Sequence, residues 1–296
     1  MCGYNSAQMP PVAAISYRED FGAPPPGWCL RADPVHLRTD TSGLILFDAS
    51  SFPLAADEAQ ALTNTLTAHL TEDNLRLVCR HPRRWYLLCD RPQRLATQPL
   101  PAVRGTRVSA MPYGGEDAAP WMGRINELQM LMHSHPVNRD RAERGEPAVN
   151  SVWLWGGGDA QPPHNPSCTR LAGGNLFARG IARQSGVPIT DLPENASILS
   201  DTSVDSENLL VILEACRDAA AYEDIAVWQT ALEHLERDWF APLLKALKQR
   251  RIDSLKLYAL NGRCYRLTRR QLLTFWKGAG EYRTQAAFRL PSANRV

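Results

Sequence analysis

Residues 149–158 read VNSVWLWGGG, and the fold turns on what this stretch is. A short apolar run carrying Trp153 and Trp155 ends in Gly156, Gly157 and Gly158. Such a run reads as a buried strand stopped by a tight turn. In α/β folds, ligands lie beyond the carboxyl ends of strands, where glycines let backbone N–H groups approach a phosphate. The glycines therefore mark either the edge of a ligand site or a strand turning a corner. Neither a Walker A nor a GxGxxG pattern surrounds them, so the triplet alone assigns no phosphate.

Around this stretch lie 296 residues, enough for a substantial core and two lobes. An apolar fraction of 44% with 22% charged residues is that of a soluble globular protein. A net charge of +2 favours neither nucleic acid nor an acidic membrane as partner. No apolar run reaches the roughly 18–20 residues that span a bilayer. The N-terminus, MCGYNSAQMPPVAAISYRED, has no basic segment followed by a sustained apolar one, so a cytoplasmic location is expected. Cys2, Cys29, Cys79, Cys89, Cys168, Cys216 and Cys264 are scattered, with no CxxC pair, and read as reduced thiols. The 22 prolines imply many turns and short elements.

Residues 1–27 end in GAPPPG and read as an extended arm, loosely attached or draped over the body. WCLRADPVHLRTD and GLILFDA form a strand pair. AADEAQALTNTLTAHL follows with helical spacing, Leu62, Leu66 and Leu70 on one side and Asp57 and Glu58 in the first turn. LRLVCRH and RWYLLCD complete a ββαββ unit, an α+β lobe. A proline-rich passage leads to a helix over PWMGRINELQMLMHSH, with Ile125, Leu128, Leu131 and Met132 on its apolar face. Beyond the quoted strand, LFARGIARQSG reads as a helix, LLVILEAC as a strand, and 222–249 as a long amphipathic helix. Asn261–Gly262 marks a hairpin between IDSLKLYA and GRCYRL, and TRRQLLTFWKG opens another helix.

The segment HSHPVNRDR gathers His133, His135, Asn138 and two arginines within nine residues. Asn138 and Arg141, three apart, share a face if the segment is helical. An arginine fork suits phosphate or carboxylate, but the same residues equally suit a helix end whose basic groups complement its last turn. His-x-His without a nearby Asp, Glu or His partner makes a poor metal half-site. Ser151, Ser167 and Ser185 have no GxSxG context. Trp153, Trp155, Trp228, Trp239 and Trp276 fall on apolar strands and faces, where a core role outweighs base stacking.

GWCLRADPVHL, RRWYLL and HPVNRDRAERGEPAVNSVWLWGGG occur in an order that resembles the archaeal-type 2,3-bisphosphoglycerate-independent phosphoglycerate mutases of the alkaline phosphatase superfamily. The most specific block is His135, Pro136, Asn138, Arg141, Gly145, Pro147, Asn150 and Trp153 to Gly156, and the likeness covers roughly residues 27–250. The resemblance implies phosphoryl transfer from a serine beside two divalent metals held by Asp and His. Matched segment by segment, the resemblance also implies that this chain lacks the groups for that chemistry. Residues 1–26 contain neither the family's leading DG motif nor its serine. Where the family has D-E-A-G-H, Arg217 stands in place of the Asp and Ala221 in place of the His. The late Asp-His pair is replaced by Asn261 and Gly262.

The expectation is thus an α/β protein with a partial alkaline-phosphatase-like domain at 149–285 and a smaller α+β lobe at 28–112. The arm at 1–27, a helical connection at 113–148 and a tail at 286–296 complete it. It is expected to be a shortened, non-catalytic relative with no metal and no other cofactor. A small phosphorylated or carboxylate ligand would bind between the lobes at Arg31, His135, Asn138, Arg141, Gly156, Gly157 and Arg217. Two alternatives stay open: an active metal-dependent mutase or phosphatase, and a protein-interaction module with a closed cleft. The latter requires Arg31, His135 and Arg141 to be engaged internally.

Overall fold

A computed structural model describes residues 10–41, 43–158, 166–197, 208–259, 263–272 and 285–286. The architecture is mixed α/β. The helices are α1 (Val12–Phe21), α2 (Ala56–Leu70), α3 (Leu100–Val103), α4 (Ala118–His133), α5 (Pro136–Glu143), α6 (Leu176–Gln184), α7 (Arg217–Ala221), α8 (Ile225–Leu235), α9 (Ala241–Lys248) and α10 (Arg269–Leu272). A π-helical segment, Glu236–Phe240, joins α8 to α9.

The main sheet is antiparallel and built on the long strand β1 (Trp28–Asp40). Its other strands are β2 (Gly43–Asp48), β3 (Leu75–His81), β4 (Arg84–Cys89), β5 (Arg107–Val108) and β6 (Ser151–Trp155), in the order β3-β4-β1-β2-β5. Along its length β1 pairs with β4 through Trp28–Arg31, with β6 through Arg31–Val35 and with β2 through Val35–Asp40. The ββαββ order read from the sequence is present. On one side of the sheet, Leu62, Leu66 and Leu70 of α2 and Trp121, Ile125, Leu128 and Met132 of α4 pack with Leu30, Leu77, Trp85 and Leu154 into the largest core cluster. The spacing of three and four that predicted these helix faces is what lets one stripe of each helix meet a flat sheet.

The remaining strands form two small sheets. β7 (Arg170–Gly173) lies between β8 (Ile189–Thr190) and β9 (Leu209–Ile212), all parallel, and α6 connects the first two. A crossover helix is what parallel pairing requires. β10 (Ser254–Tyr258) and β11 (Arg263–Thr268) form the expected antiparallel pair, with β12 (Gln285–Ala286) beside β11. The hairpin residues Asn261 and Gly262, and Trp276, lie outside the described residues.

Two expectations need correction. Within 1–27, residues Val12–Phe21 are helical, and Val12 to Tyr17 are buried against α6 and β1. The neighbouring prolines had suggested extended chain, but Pro10 and Pro11 sit just before the helix, where a missing N–H costs nothing. Gly22, at φ 76°, ends it. The strand of VNSVWLWGGG was expected to belong to the second domain, yet β6 pairs with β1 and completes the first sheet. A run buried on both faces marks a strand without saying which edge receives it.

Candidate functional site

Arg31 and Asp33 are two residues apart on β1, so both side chains leave the same face. Arg31 Nε and Nη2 donate to Asp33 Oδ1 at 3.0 and 2.6 Å. Asp33 also accepts from the Trp155 indole at 2.7 Å and the Trp85 N–H at 3.3 Å. The Arg31 guanidinium lies 5.3 Å from the ring centres of both Tyr86 and Trp155. Burial pushes the Asp33 carboxyl up, and Arg31, Trp155 and Trp85 counter this without reversing it. Beside this pair, Tyr86 donates to Asp20 at 2.6 Å, and Arg84 grips the same carboxylate with Nε at 3.0 Å and Nη2 at 2.8 Å. Burial works to raise Asp20, but the bonds from Arg84 and Tyr86 hold its carboxyl below the usual range. The result is a polar seam tying α1 to the sheet, with every Arg31 contact made inside the protein.

Gly156 and Gly157 belong to the same region and serve the same docking. The Gly156 carbonyl accepts from Ala13 N–H at 2.8 Å, and its φ of 69° is one that L side chains rarely adopt. A Cβ at Gly157 would stand 2.6 Å from the Trp28 ring and 2.8 Å from Leu30 Cδ2. These glycines make room for α1 and Trp28. The strand stops at a corner of the core.

The segment holding Asn138 and Arg141 is helical, so the two lie three apart on α5, and His135 stands at its start. His135 is the N-cap: its Nδ1 accepts from Val137 N–H at 3.2 Å while Nε2 meets Thr65 Oγ1 at 3.0 Å. Burial, then the charge of Arg139, lowers its pKa from the ordinary value. Asn138 donates to the carbonyls of Met132 and Val149 at 2.7 and 2.8 Å and accepts from Val149 N–H at 2.9 Å. It therefore stitches the end of α4 to the approach to β6. Arg141 is wholly buried. It donates to the Pro147 and Pro53 carbonyls and to Glu58 Oε2, each at 2.8 Å, over the ring of Phe52. Arg144 reaches the other Glu58 oxygen at 2.6 Å.

Arg217 stands apart from both groups. It opens α7, and its Nη1 and Nε bind Glu214 at 2.8 Å and Asp218 at 2.9 Å. The buried Arg104 completes the cluster, with Nη1 2.5 Å from Asp218 and Nη2 donating to the Arg217 carbonyl at 2.9 Å. Burial raises Asp218, but the bonds from Arg217 and Arg104 win and leave its carboxyl low. Next to it, Tyr222 donates to Asp48, accepts from the Asp48 N–H at 3.0 Å, and stacks on Phe47 with ring centres 5.9 Å apart. Gly105 lets the Ala221 carbonyl approach so closely that a Cβ would be 2.0 Å from its oxygen. The α7 segment is thus clamped to the end of β2 and to α3.

This donor set does not fit the two divalent metals that the resemblance implies. Glu214 and Asp218 are already neutralised by guanidinium groups within 2.9 Å, which would repel a cation. Among the described residues no three His, Cys, Asp or Glu converge in a metal-ligating group. Among the described residues one surface hollow of about 430 Å³ lies beside Arg91, Trp121 and Arg124 and another of about 600 Å³ beside Glu58, Asp140 and Arg144. None of the seven expected ligand residues lines either one. Burial raises the thiols of Cys29 and Cys89 to about 12, which makes them poor nucleophiles.

Sequence reading missed Asp20, Asp33, Arg104 and Tyr222. Asp33 had a signal, since an acid two residues after an arginine on a strand lies beside it. Arg104, Asp48 and Tyr222 had none, because their partners are 114 and 174 residues away.

No family model matches the chain. It is 24% identical over 258 residues to a 2,3-bisphosphoglycerate-independent phosphoglycerate mutase from Methanosarcina acetivorans, a match covering 79% of this chain and 64% of that protein. A protein of the same name from Methanosarcina barkeri is 28% identical over 262 residues, covering 80% and 65%. The chain therefore spans just under two thirds of the length of these relatives. The solved cofactor-independent phosphoglycerate mutase from Thermoplasma acidophilum overlaps 79% of this chain and 67% of its own, at 17% identity and a TM-score of 0.40. Among the described residues no helix is long and apolar enough to cross a membrane.

Proposed function

We propose that this chain, a relative of the 2,3-bisphosphoglycerate-independent phosphoglycerate mutases, performs no phosphoryl transfer by itself and acts as a protein-interaction module. The observation that carries this reading is the engagement of Arg31 and Arg141, the two buried arginines expected to bind a ligand. Arg31 is occupied by Asp33 and two aromatic faces, and Arg141 by Glu58 and two carbonyls. A phosphate or carboxylate would have to displace these partners and leave buried acids or carbonyls unpaired, at about 1–3 kcal/mol for each group. Supporting it further, the α7 segment, to which the resemblance assigns the place of metal ligands, is held by Arg104, and Glu214 and Asp218 already carry cationic partners. Serving as a ligand binder between lobes would require both clusters to open.

The test is a coupled phosphoglycerate mutase assay on the purified chain with Mn²⁺, Mg²⁺ and Zn²⁺ supplied separately, together with thermal unfolding in millimolar 3-phosphoglycerate. The expected result is no turnover above background and no rise in the unfolding midpoint. Metal-dependent turnover abolished by a chelator would overturn the non-catalytic reading. A rise with 3-phosphoglycerate but no turnover would replace the interaction module by a ligand binder.

A further inference from the structure

α8 carries an apolar stripe at Ile225, Trp228, Leu232 and Leu235, spaced three, four and three residues apart. That spacing builds a face meant to be covered. Yet α8 has no buried residue, and Ile225, Val227, Trp228 and Leu232 are 74, 54, 41 and 36% exposed among the described residues. The rod continues through the π segment, where Trp239 is buried, into α9, where Ala246 and Leu247 are buried and the helix packs beside β10 and α10. Its N-terminal half is uncovered while its C-terminal half is partly covered. From Ile225 to Lys248 the rod has 24 residues and is about 36 Å long.

The charge along this rod is divided. Residues 223–236 contain Glu223, Asp224, Glu233 and Glu236 and no lysine or arginine, a net charge of −4 with His234 neutral. Residues 237–251 contain Arg237, Lys245, Lys248, Arg250 and Arg251 against Asp238 alone, a net +4. Equal and opposite halves make the rod complementary to itself when reversed. A two-fold interface places the same patch of each copy against the other, so one element must supply both halves of the complementarity. A twofold axis near Arg237 would set the acidic α8 of one copy along the basic end of α9 of the other. The side of α9 open to a partner consists of Ala241 and the aliphatic stems of Lys245 and Lys248.

We propose that the α8–α9 rod is the dimerisation surface of this chain, its occupant being the same rod of a second copy in antiparallel orientation. The inference deepens the interaction reading above and rests on it. A monomer without turnover would overturn the dimer and leave that reading standing, whereas a catalytically active dimer would do the reverse.

Sedimentation velocity on the full chain, from 1 to 100 µM, tests it. The wild type should sediment as a dimer of the 33.0 kDa chain. The pair Glu223→Lys with Glu233→Lys, and separately Lys248→Glu with Arg250→Glu, should each weaken dimerisation at least tenfold while leaving the circular dichroism unchanged. An equimolar mixture of the two variants should regain the dimer, because each acid-for-base exchange then meets its complement. Trp228→Ser gives a monomer by a route independent of charge. A wild type that stays monomeric throughout overturns the proposal, whether hydrogen exchange finds the stripe covered by residues 273–296 or open to another protein. A dimer indifferent to all of these substitutions overturns it equally.

Discussion

Replacing Arg141 by alanine separates a structural arginine from a ligand-binding one. The wild-type guanidinium makes three hydrogen bonds of 2.8 Å and is fully buried. Bonds from a charged donor contribute about 1.5–3 kcal/mol each, and the low end applies because these acceptors are only partly buried. Glu58 keeps Arg144, so truncation leaves no isolated buried charge. Three bonds at the low end give a loss of about 4.5 kcal/mol. At about 2–4 °C per kcal/mol for a chain of this class, thermal unfolding should begin roughly 10 °C lower. Urea unfolding of the wild type, Arg141→Ala and Arg141→Lys provides the assay, and the lysine variant should recover only part of the loss because one ammonium cannot serve three diverging acceptors. A destabilisation below about 1 kcal/mol would refute the reasoning. Arg141 would then be held loosely enough to serve an incoming anion.

Two further outcomes follow from the same geometry. Gly157→Ala should cost about 2 kcal/mol, since its methyl group would stand 2.6 Å from the Trp28 ring; unchanged stability in a urea titration would mean that the glycine serves something other than packing. His135 has a folded pKa below its unfolded one, so its contribution is complete above the unfolded value near 6.5 and is lost as pH falls through the folded value. His135→Asn keeps a capping acceptor and removes this titration, so stability between pH 7.5 and 5 should fall less in the variant; parallel stability curves for the two proteins would exclude His135 as the source.

Much of the fold was legible because it rests on local periodicity. Leu62, Leu66 and Leu70 recur at helical spacing, the strands of the ββαββ unit alternate or run apolar, and both patterns depend only on backbone geometry within a few residues. The family likeness was also legible, since order and spacing of HPVNRDR and VWLWGGG survive without any structure. α1 was misread because prolines on both sides of it dominate a local reading, while its burial depends on α6, more than 150 residues later.

The sequence by itself determined the strands and helix of the ββαββ unit, a likeness to the mutases and the three-residue spacing of Asn138 and Arg141. Only the tertiary structure decided what those side chains touch. Arg31 as a sequence letter suits a phosphate as well as it suits Asp33, and Arg141 suits a ligand as well as it suits Glu58. The choice between them is made by distances between residues 83 or more positions apart, for Arg141 and Glu58, and by the burial that folding imposes on both. The same holds for VNSVWLWGGG. Its side chains required a buried strand ending at a corner, but pairing with β1 and contact with α1 are properties of the packed sheet, set by long-range burial that no local pattern encodes.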